Sequence, residues 1–431
     1  MCNIINKMQK VRDALLLQKR ELETRLKEEY IEREGDLKLG QPIIKVIIGP
    51  RRAGKSFFAL HFLKKAGNFG YVNFDDERLA GLTNYDEIIT SLNSLYNHPQ
   101  EILFDEIQNL EKWELFVNRL QRQGLNLILT GSNSHLLSKE LATHLTGRHF
   151  LILILPFSFK EYLRSDKKEY TSTELREQLS QYLIEGGYPE PLMKNLDKQE
   201  YISSLFNAIV YKDIVKRHRI RNPSEIDNLA LYLISNIAQE YSYRSLTKNC
   251  GIKSSHTVEK YLGYLEEAFI FFTLNKFSYK VKEQLSSNKK VYCIDNSFIH
   301  ANAFKVNPDW GKLYENQVAI ELKKGELQNH FQVYYWKNQQ QEEVDFVVKE
   351  GTKIKQLIQV CFNLQNAVTI NRETRALVKA SRELKCPNAI VITESLEREE
   401  EVEWFGDKAK IKFIPLWKWL LEPSERNQRT K

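Results

Sequence analysis

Paired cysteines are missing from this chain: Cys2, Cys250, Cys293, Cys361 and Cys386 are scattered, with no CxxC and no histidine at metal-ligand spacing. That excludes a disulfide framework and a zinc site, and a reducing compartment, the cytoplasm, is expected. Long apolar runs are equally scarce. The longest, Phe150 to Phe157, falls far short of the roughly 20 residues that cross a bilayer, and the start of the chain is dense in charge of both signs. Neither a membrane anchor nor an export signal is expected. Internal repeats and low-complexity tracts are absent as well. Charge is not one-sided either: 63 Lys and Arg against 56 Asp and Glu leave +7, which permits nucleic-acid contact without requiring it. The basic cluster Lys212, Lys216, Arg217, Arg219 and Arg221 reads first as a solvated face.

What is present is a globular composition, 42% apolar and 28% charged, over 431 residues. A chain of that length outgrows one core, so two or three domains are expected. Residues 7–34 place Met8, Val11, Leu15, Leu22, Leu26 and Tyr30 at mostly helical spacing, which predicts one amphipathic helix ended by Gly35, Gly40 and Pro42. It serves either as a coiled-coil arm or as a helix docked on its own domain. From Ile43 the text turns to short apolar runs, IIKVIIG, YVNF, EILFDE, LNLILTG and HFLILIL, separated by helical stretches. Runs of that kind are buried parallel strands, so residues 41–156 read as an α/β domain covered on both faces. Residues 157–221 then read as a helical lid broken at Gly186–Gly187 and Pro189–Pro191. Residues 222–285 hold short helices and the strand-like FIFFTLNKF in winged-helix order, and 286–431 alternate strands and helices as a second α/β lobe.

The strongest motif is GPRRAGKS, set between an apolar run and a helical one in IIKVIIGPRRAGKSFFALHFL. It fits the phosphate-binding pattern G-x-x-x-x-G-K-[ST] in the context that the pattern requires. Gly49 and Gly54 let the backbone turn its N–H groups toward phosphate, with Pro50, Arg51, Arg52 and Ala53 between them and Phe57 just beyond. Lys55 is spaced to reach the β- and γ-phosphates of ATP, and the Ser56 hydroxyl to ligate Mg2+. In EILFDEIQNL, Asp105 and Glu106 close an apolar strand, where Asp105 would hold the metal through water and Glu106 orient or deprotonate the attacking water. Thr130, Ser132 and Asn133 end the next strand, and Asn133 or Ser132 is a candidate γ-phosphate sensor. Arg148, in LTGRHF, is a candidate for the cation that offsets transition-state charge, in cis or from a neighbouring subunit of a homo-oligomer.

Taken together, GPRRAGKS, NFDDERL, LFDEIQNL, ILTGSN, LTGRHF with LPFSFKEYL, and EGGYPE resemble the archaeal and bacterial AAA-like P-loop ATPases that carry a C-terminal domain of unknown function. The resemblance covers nearly the whole chain, including the charged N-terminal helix ending in YIERE. It implies an AAA-type core, a winged-helix segment, and a C-terminal lobe similar to PD-(D/E)xK nucleases. Such a nuclease site uses a helix Glu, a strand Asp, and an acid or amide two positions before a Lys. Glu315, Asp345 and Gln359 take the first three places, but Cys361 stands where the Lys is needed. A thiol supplies no positive charge, and its ordinary pKa near 8.5 would if anything make it anionic.

The winged-helix segment carries Lys248, Lys253, His256 and Lys260, a set suited to DNA, though such folds also serve protein contacts. Three functions follow. The first is an ATP-hydrolysing protein whose nucleotide state moves the winged-helix and nuclease-like parts on a partner, with DNA the leading partner. The second is an ATP-gated nuclease. The third is a slow regulatory switch bound to a protein.

Overall fold

The computed structural model describes residues 2–41, 43–132, 149–303, 307–329, 331–364 and 367–422, and the chain divides into two compact units, Met1–Leu155 and Pro156–Lys431. The first unit is built on five strands: β1 (Ile44–Ile48), β2 (Phe69–Asn73), β3 (Glu101–Asp105), β4 (Asn126–Gly131) and β5 (His149–Leu153). All pair in parallel, in the order β2-β3-β4-β1-β5. Every residue of β1 and β3 is buried, because α2 (Lys55–Ala66), α3 (Asp86–Tyr96) and α4 (Trp113–Arg122) supply the covering layers. The register sets Ile48 beside Gly131, and Phe104 beside Leu129. Consequently the loop after β1, the acids ending β3 and the hydroxyls ending β4 leave the sheet along one edge.

Helix α1 runs Cys2–Arg25, so it ends well before the glycines that the apolar spacing suggested. Val11, Ala14, Leu15 and Leu22 are buried, each leucine contributing about 1.5–3 kcal/mol of apolar burial. The helix packs on α3 and β2. Gln18 fixes its register by donating to the Asn73 carbonyl (3.1 Å) and to Asp76 Oδ2 (2.8 Å) while accepting from the Asn73 N–H (2.9 Å). Of the two uses open to it, α1 takes docking. Residues 26–34 leave the helix because their side chains are used elsewhere: Tyr30 stacks on His61 at 4.1 Å between ring centroids, and Arg33, buried, donates to the carbonyls of Ala53 (3.0 Å) and Leu155.

The second unit is organised on a nine-stranded sheet. Its strands are β6 (Glu240–Tyr241), β7 (Phe271–Lys276), β8 (Lys289–Cys293), β9 (Phe331–Lys337), β10 (Glu343–Glu350), β11 (Lys353–Val360), β12 (Ala389–Thr393), β13 (Arg398–Trp404) and β14 (Asp407–Pro415). They lie in the order β13-β14-β12-β11-β10-β9-β7-β8-β6. Helices Pro223–Ser235, Tyr243–Asn249 and Ser255–Glu267 precede the β7–β8 hairpin, and β6 pairs with β8. Because β7 also pairs in parallel with β9, Asn275 beside Tyr334, this helical and hairpin segment shares one sheet with the C-terminal strands.

The Gly186–Gly187 break fits onto the end of β8. A Cβ on Gly186 (φ 74°) would lie 2.0 Å from Asp295 Oδ1, and the Gly187 N–H donates to Asp295 Oδ2 at 2.9 Å. Only glycine leaves room there for the buried carboxylate.

Candidate nucleotide site

The loop after β1 closes on its own backbone. Gly49 has φ 151°, and a Cβ at that position would sit 1.8 Å from the Ile154 carbonyl oxygen. Any larger residue would force the loop away from the strand edge. Gly54, with φ 92°, forms the N-cap of α2, and no side chain caps that helix start. The first-turn amides therefore face the loop without a side-chain acceptor of their own, which suits an anion. Arg52 also takes a left-handed φ of 62°, and Arg51 lies 3.9 Å from Asp75. Phe57 is half-buried on α2.

Lys55 is buried, donates to the Pro50 carbonyl at 2.9 Å, and stands 3.9 Å from Glu106 Oε1. Ser56 donates to Asp105 Oδ1 at 2.7 Å. Thr130 donates to the same oxygen and accepts from the Glu106 N–H at 3.0 Å, so one hydroxyl joins both acids. Glu106 holds a left-handed φ of 53°, accepts from Ser132 Oγ at 3.0 Å, and accepts from the Gln108 amide. The turn aims its carboxylate toward the loop, a strained conformation of the kind found at working sites. Gln108 Oε1, buried beside it, has no hydrogen-bond partner among the described residues.

The two acids are driven in opposite directions. Burial, with Glu106 adding to it, pushes the Asp105 carboxyl up, against the opposing hydroxyl bonds of Thr130 and Ser56. Burial acts on Glu106 too, but Lys55, Gln108, Ser132 and Arg51 together outweigh it and hold that carboxyl below its usual range. An adjacent pair split in this way suits unlike roles. One carboxylate and one serine hydroxyl, 2.7 Å apart, are also a fitting oxygen set for Mg2+, which is usually held by one or two carboxylates together with substrate phosphates.

The structure thus brings Gly49, Gly54, Lys55, Ser56, Asp105, Glu106, Thr130 and Ser132 to one edge of the sheet. Asn133 and Arg148, the two further candidates, lie outside the described residues. Sequence reading missed Gln108, Tyr71 on β2, and Arg33. The only signal for Gln108 was its place two residues beyond the acid pair, and Tyr71 and Arg33 carry no motif.

In the second unit, Glu315, Asp345 and Gln359 also converge. Glu315 Oε1 and Asp345 Oδ1 lie 2.9 and 3.3 Å from Lys290 Nζ, which also meets Glu343 Oε1 at 2.5 Å. The lysine missing after Gln359 has a counterpart in space, on β8. Gln359 Oε1 accepts from the Asp345 N–H at 3.2 Å. Cys361 turns its thiol toward the Asn363 carbonyl, and burial pushes its pKa up to about 11, so the thiol stays neutral, contrary to the anion expected from its ordinary value. Among the described residues, no group of three or more His, Cys, Asp or Glu side chains is arranged to hold a metal. Lys212, Lys216, Arg217, Arg219, Arg221, Lys248, Lys253, His256 and Lys260 are all exposed.

A parallel sheet of this order, with a glycine loop and acid pair along one edge, defines an AAA-type P-loop domain. Residues 41–163 match the AAA domain family, while 176–308 and 310–419 match two domains of unknown function, DUF8612 and DUF4143. The chain belongs to the family of the uncharacterized protein MJ1544 of Methanocaldococcus jannaschii, to which it is 37% identical over 420 residues, 93% of each chain. An uncharacterized protein of Haemophilus influenzae is 30% identical over 395 residues, 88% of this chain and 94% of that one. Solved structures similar to it include the Walker-type ATPase paby2304 of Pyrococcus abyssi, 16% identical with a TM-score of 0.40, covering 61% of this chain and 91% of that one. Cdc6p from Pyrobaculum aerophilum is 13% identical with a TM-score of 0.25, covering 66% and 88%. No helix among the described residues is long and apolar enough to cross a membrane.

Proposed function

We propose that the first unit binds ATP with Mg2+ and hydrolyses it, and that the nucleotide state acts through the second unit on a partner. The observation that carries this reading is the joined set Lys55, Ser56, Asp105, Thr130 and Glu106 at the mouth of the glycine loop. The loop amides and Lys55 grip the phosphates, and Ser56 and Asp105 hold the metal. Mg2+ held there would supply charge neutralisation to the phosphates. Glu106, kept ionised, orients the water and takes its proton, while Ser132 and Gln108 hold its carboxylate in place. Asn133 and Arg148 keep their proposed roles as sensor and charge-compensating cation.

The order helix, short strand, helix, helix, hairpin over 223–293 is that of a winged helix, and DNA is the partner we favour. Exposed Lys253, His256 and Lys260 support it. ATP turnover measured with and without duplex DNA tests both parts. Stimulation by DNA is expected; a wild-type protein that neither binds nor hydrolyses ATP with Mg2+, beside Lys55→Ala as control, rejects the first part. Slow turnover indifferent to DNA, with a protein captured on the full chain, would favour the regulatory switch.

Cleavage by the C-terminal lobe is a second reading, favoured by the lysine that Glu315 and Asp345 share. Against it stands the use of that lysine to neutralise the same carboxylates. Nucleic-acid cleavage lost in Asp345→Asn would support this reading, and its absence across several DNA and RNA forms would leave the lobe to binding or assembly.

A further inference from the structure

Asp105 is almost completely buried, and each of its oxygens is already engaged. Oδ1 accepts from Ser56 and Thr130; Oδ2 accepts from the Tyr71 hydroxyl at 3.1 Å. Tyr71 stands on β2, whose Asn73 pairs with Asp105 in register, and the tyrosine itself is 2% exposed. Its hydroxyl accepts in turn from Arg25 Nη1 at 3.3 Å, and Arg25 is the last residue of α1. A hydroxyl that accepts from a guanidinium donates more strongly on its other side.

The two sides of Asp105 are not equivalent. Ser56 shares its hydroxyl between Oδ1, through its proton, and a metal, through its lone pairs, whereas Tyr71 has no metal to ligate and serves Oδ2 alone. We infer that Tyr71, backed by Arg25, is the positioning residue that fixes Asp105 for Mg2+, and that α1 is thereby a working part of the nucleotide site. This rests on the proposed ATPase reading. Gln18 and Lys19 anchor the helix to the end of β2 and to α3: Gln18 reaches Asn73 and Asp76, and Lys19 donates to the Leu95 carbonyl at 2.6 Å. The far end of the relay therefore cannot drift from Tyr71 while α1 remains docked.

The test uses the full chain with Tyr71→Phe, Arg25→Met and the pair combined, each first checked for a cooperative melt. Binding of a fluorescent ATP analogue is measured in EDTA and across a Mg2+ titration, with turnover in parallel. Tyr71→Phe removes one oxygen from a buried site without altering its shape. The hydrogen bond to a charged acceptor that it deletes corresponds to a rise of about tenfold in the Mg2+ needed for half-effect, with metal-free nucleotide affinity unchanged. Arg25→Met should raise it by about threefold, and the double variant should be no worse than Tyr71→Phe, because the arginine acts only through the tyrosine.

An unchanged Mg2+ half-effect in a folded Tyr71→Phe overturns the inference alone. A wild-type protein whose nucleotide binding and turnover ignore Mg2+ overturns the parent reading together with it.

Discussion

Lys55 and Lys290 are both nearly inaccessible, their side chains 4% and 2% exposed, and Lys290 has three carboxylates at close range where Glu106 stands 3.9 Å from Lys55. Lys290 lies within 2.5 to 3.3 Å of Glu343, Glu315 and Asp345, and Tyr292 adds a hydroxyl bond to Glu315 at 2.7 Å. Burial alone would lower the Lys290 pKa, but Glu315, Tyr292, Asp345 and Glu343 hold the ammonium protonated. Lys55 donates to a neutral carbonyl at 2.9 Å, with Glu106 Oε1 3.9 Å away. An incoming phosphate can outbid those partners, because a dianion attracts an ammonium more strongly than a carbonyl does. Nothing incoming can outbid three carboxylates. The same residue type is thus an internal counter-ion in one unit and, on the function proposed, a ligand-gripping group in the other.

The largest effect that separates the two belongs to Lys290. Lys290→Met leaves three carboxylates in a space without their cation, and breaking a buried pair from one side costs about 3–5 kcal/mol. Denaturant unfolding should show that loss in the second unit, with ATP binding retained. Asp345→Asn should act in the opposite sense, since the cluster holds more acid than base. Burial and then Glu315 raise the Asp345 carboxyl well above its usual range. The folded state therefore binds more protons than the unfolded one, so stability falls as pH rises through that raised pKa. Asp345→Asn should flatten this fall; a variant equally pH-dependent and as unstable as Lys290→Met would mean that the cluster is balanced after all.

Next in size is Lys55→Ala, expected to lower turnover by about 100-fold or more, in the range found when one preorganised donor to a developing charge is lost. Its melting temperature without nucleotide should stay near that of the wild type, and the stabilisation by ATP should vanish. Were Lys55→Ala to unfold the protein as Lys290→Met does, the contrast drawn above would break.

The nucleotide half of this contrast was legible in the sequence and the lysine half was not. Gly49 to Ser56 and Asp105–Glu106 are local patterns, fixed by what a strand end and a helix start can present, and five apolar runs were enough to predict the parallel sheet. Lys290 lies 25 residues before Glu315 and 55 before Asp345, on a strand whose text, KKVYC, shows nothing but an exposed-looking pair of lysines. The pairing of β7 with β9 brings that strand toward Asp345 on β10, and the helix Trp310–Asn329, packed on β8, brings Glu315. The hairpin β13–β14 was also unread, because REEEVEW is mostly charge and DKAKIKF spends every second position from Lys408 on lysine. Glu399, Glu401 and Glu403 stand opposite or beside Lys412, Lys410 and Lys408, and cross-strand attraction holds the edge that apolar content does not. Tyr71 escaped notice for the opposite reason: a tyrosine in a buried strand looks like core until its hydroxyl is seen to meet Asp105.

The smallest effect tests how the acid pair shares its work. Glu106 is held ionised by Lys55 and by the bonds from Gln108 and Ser132, whereas Asp105 is the acid that burial pushes up. Turnover should therefore lose its acid limb as Asp105 takes a proton, at a pH above the usual carboxylate value of about 4, with Glu106 still charged there. Ser132→Ala removes one donor from Glu106 and leaves the Gln108 amide in place, so turnover should fall by about fivefold, the worth of one hydrogen bond. The limb itself should not move, because Ser132 does not touch Asp105. A Ser132→Ala limb displaced toward higher pH would assign the limiting proton to Glu106 and exchange the duties of the two acids.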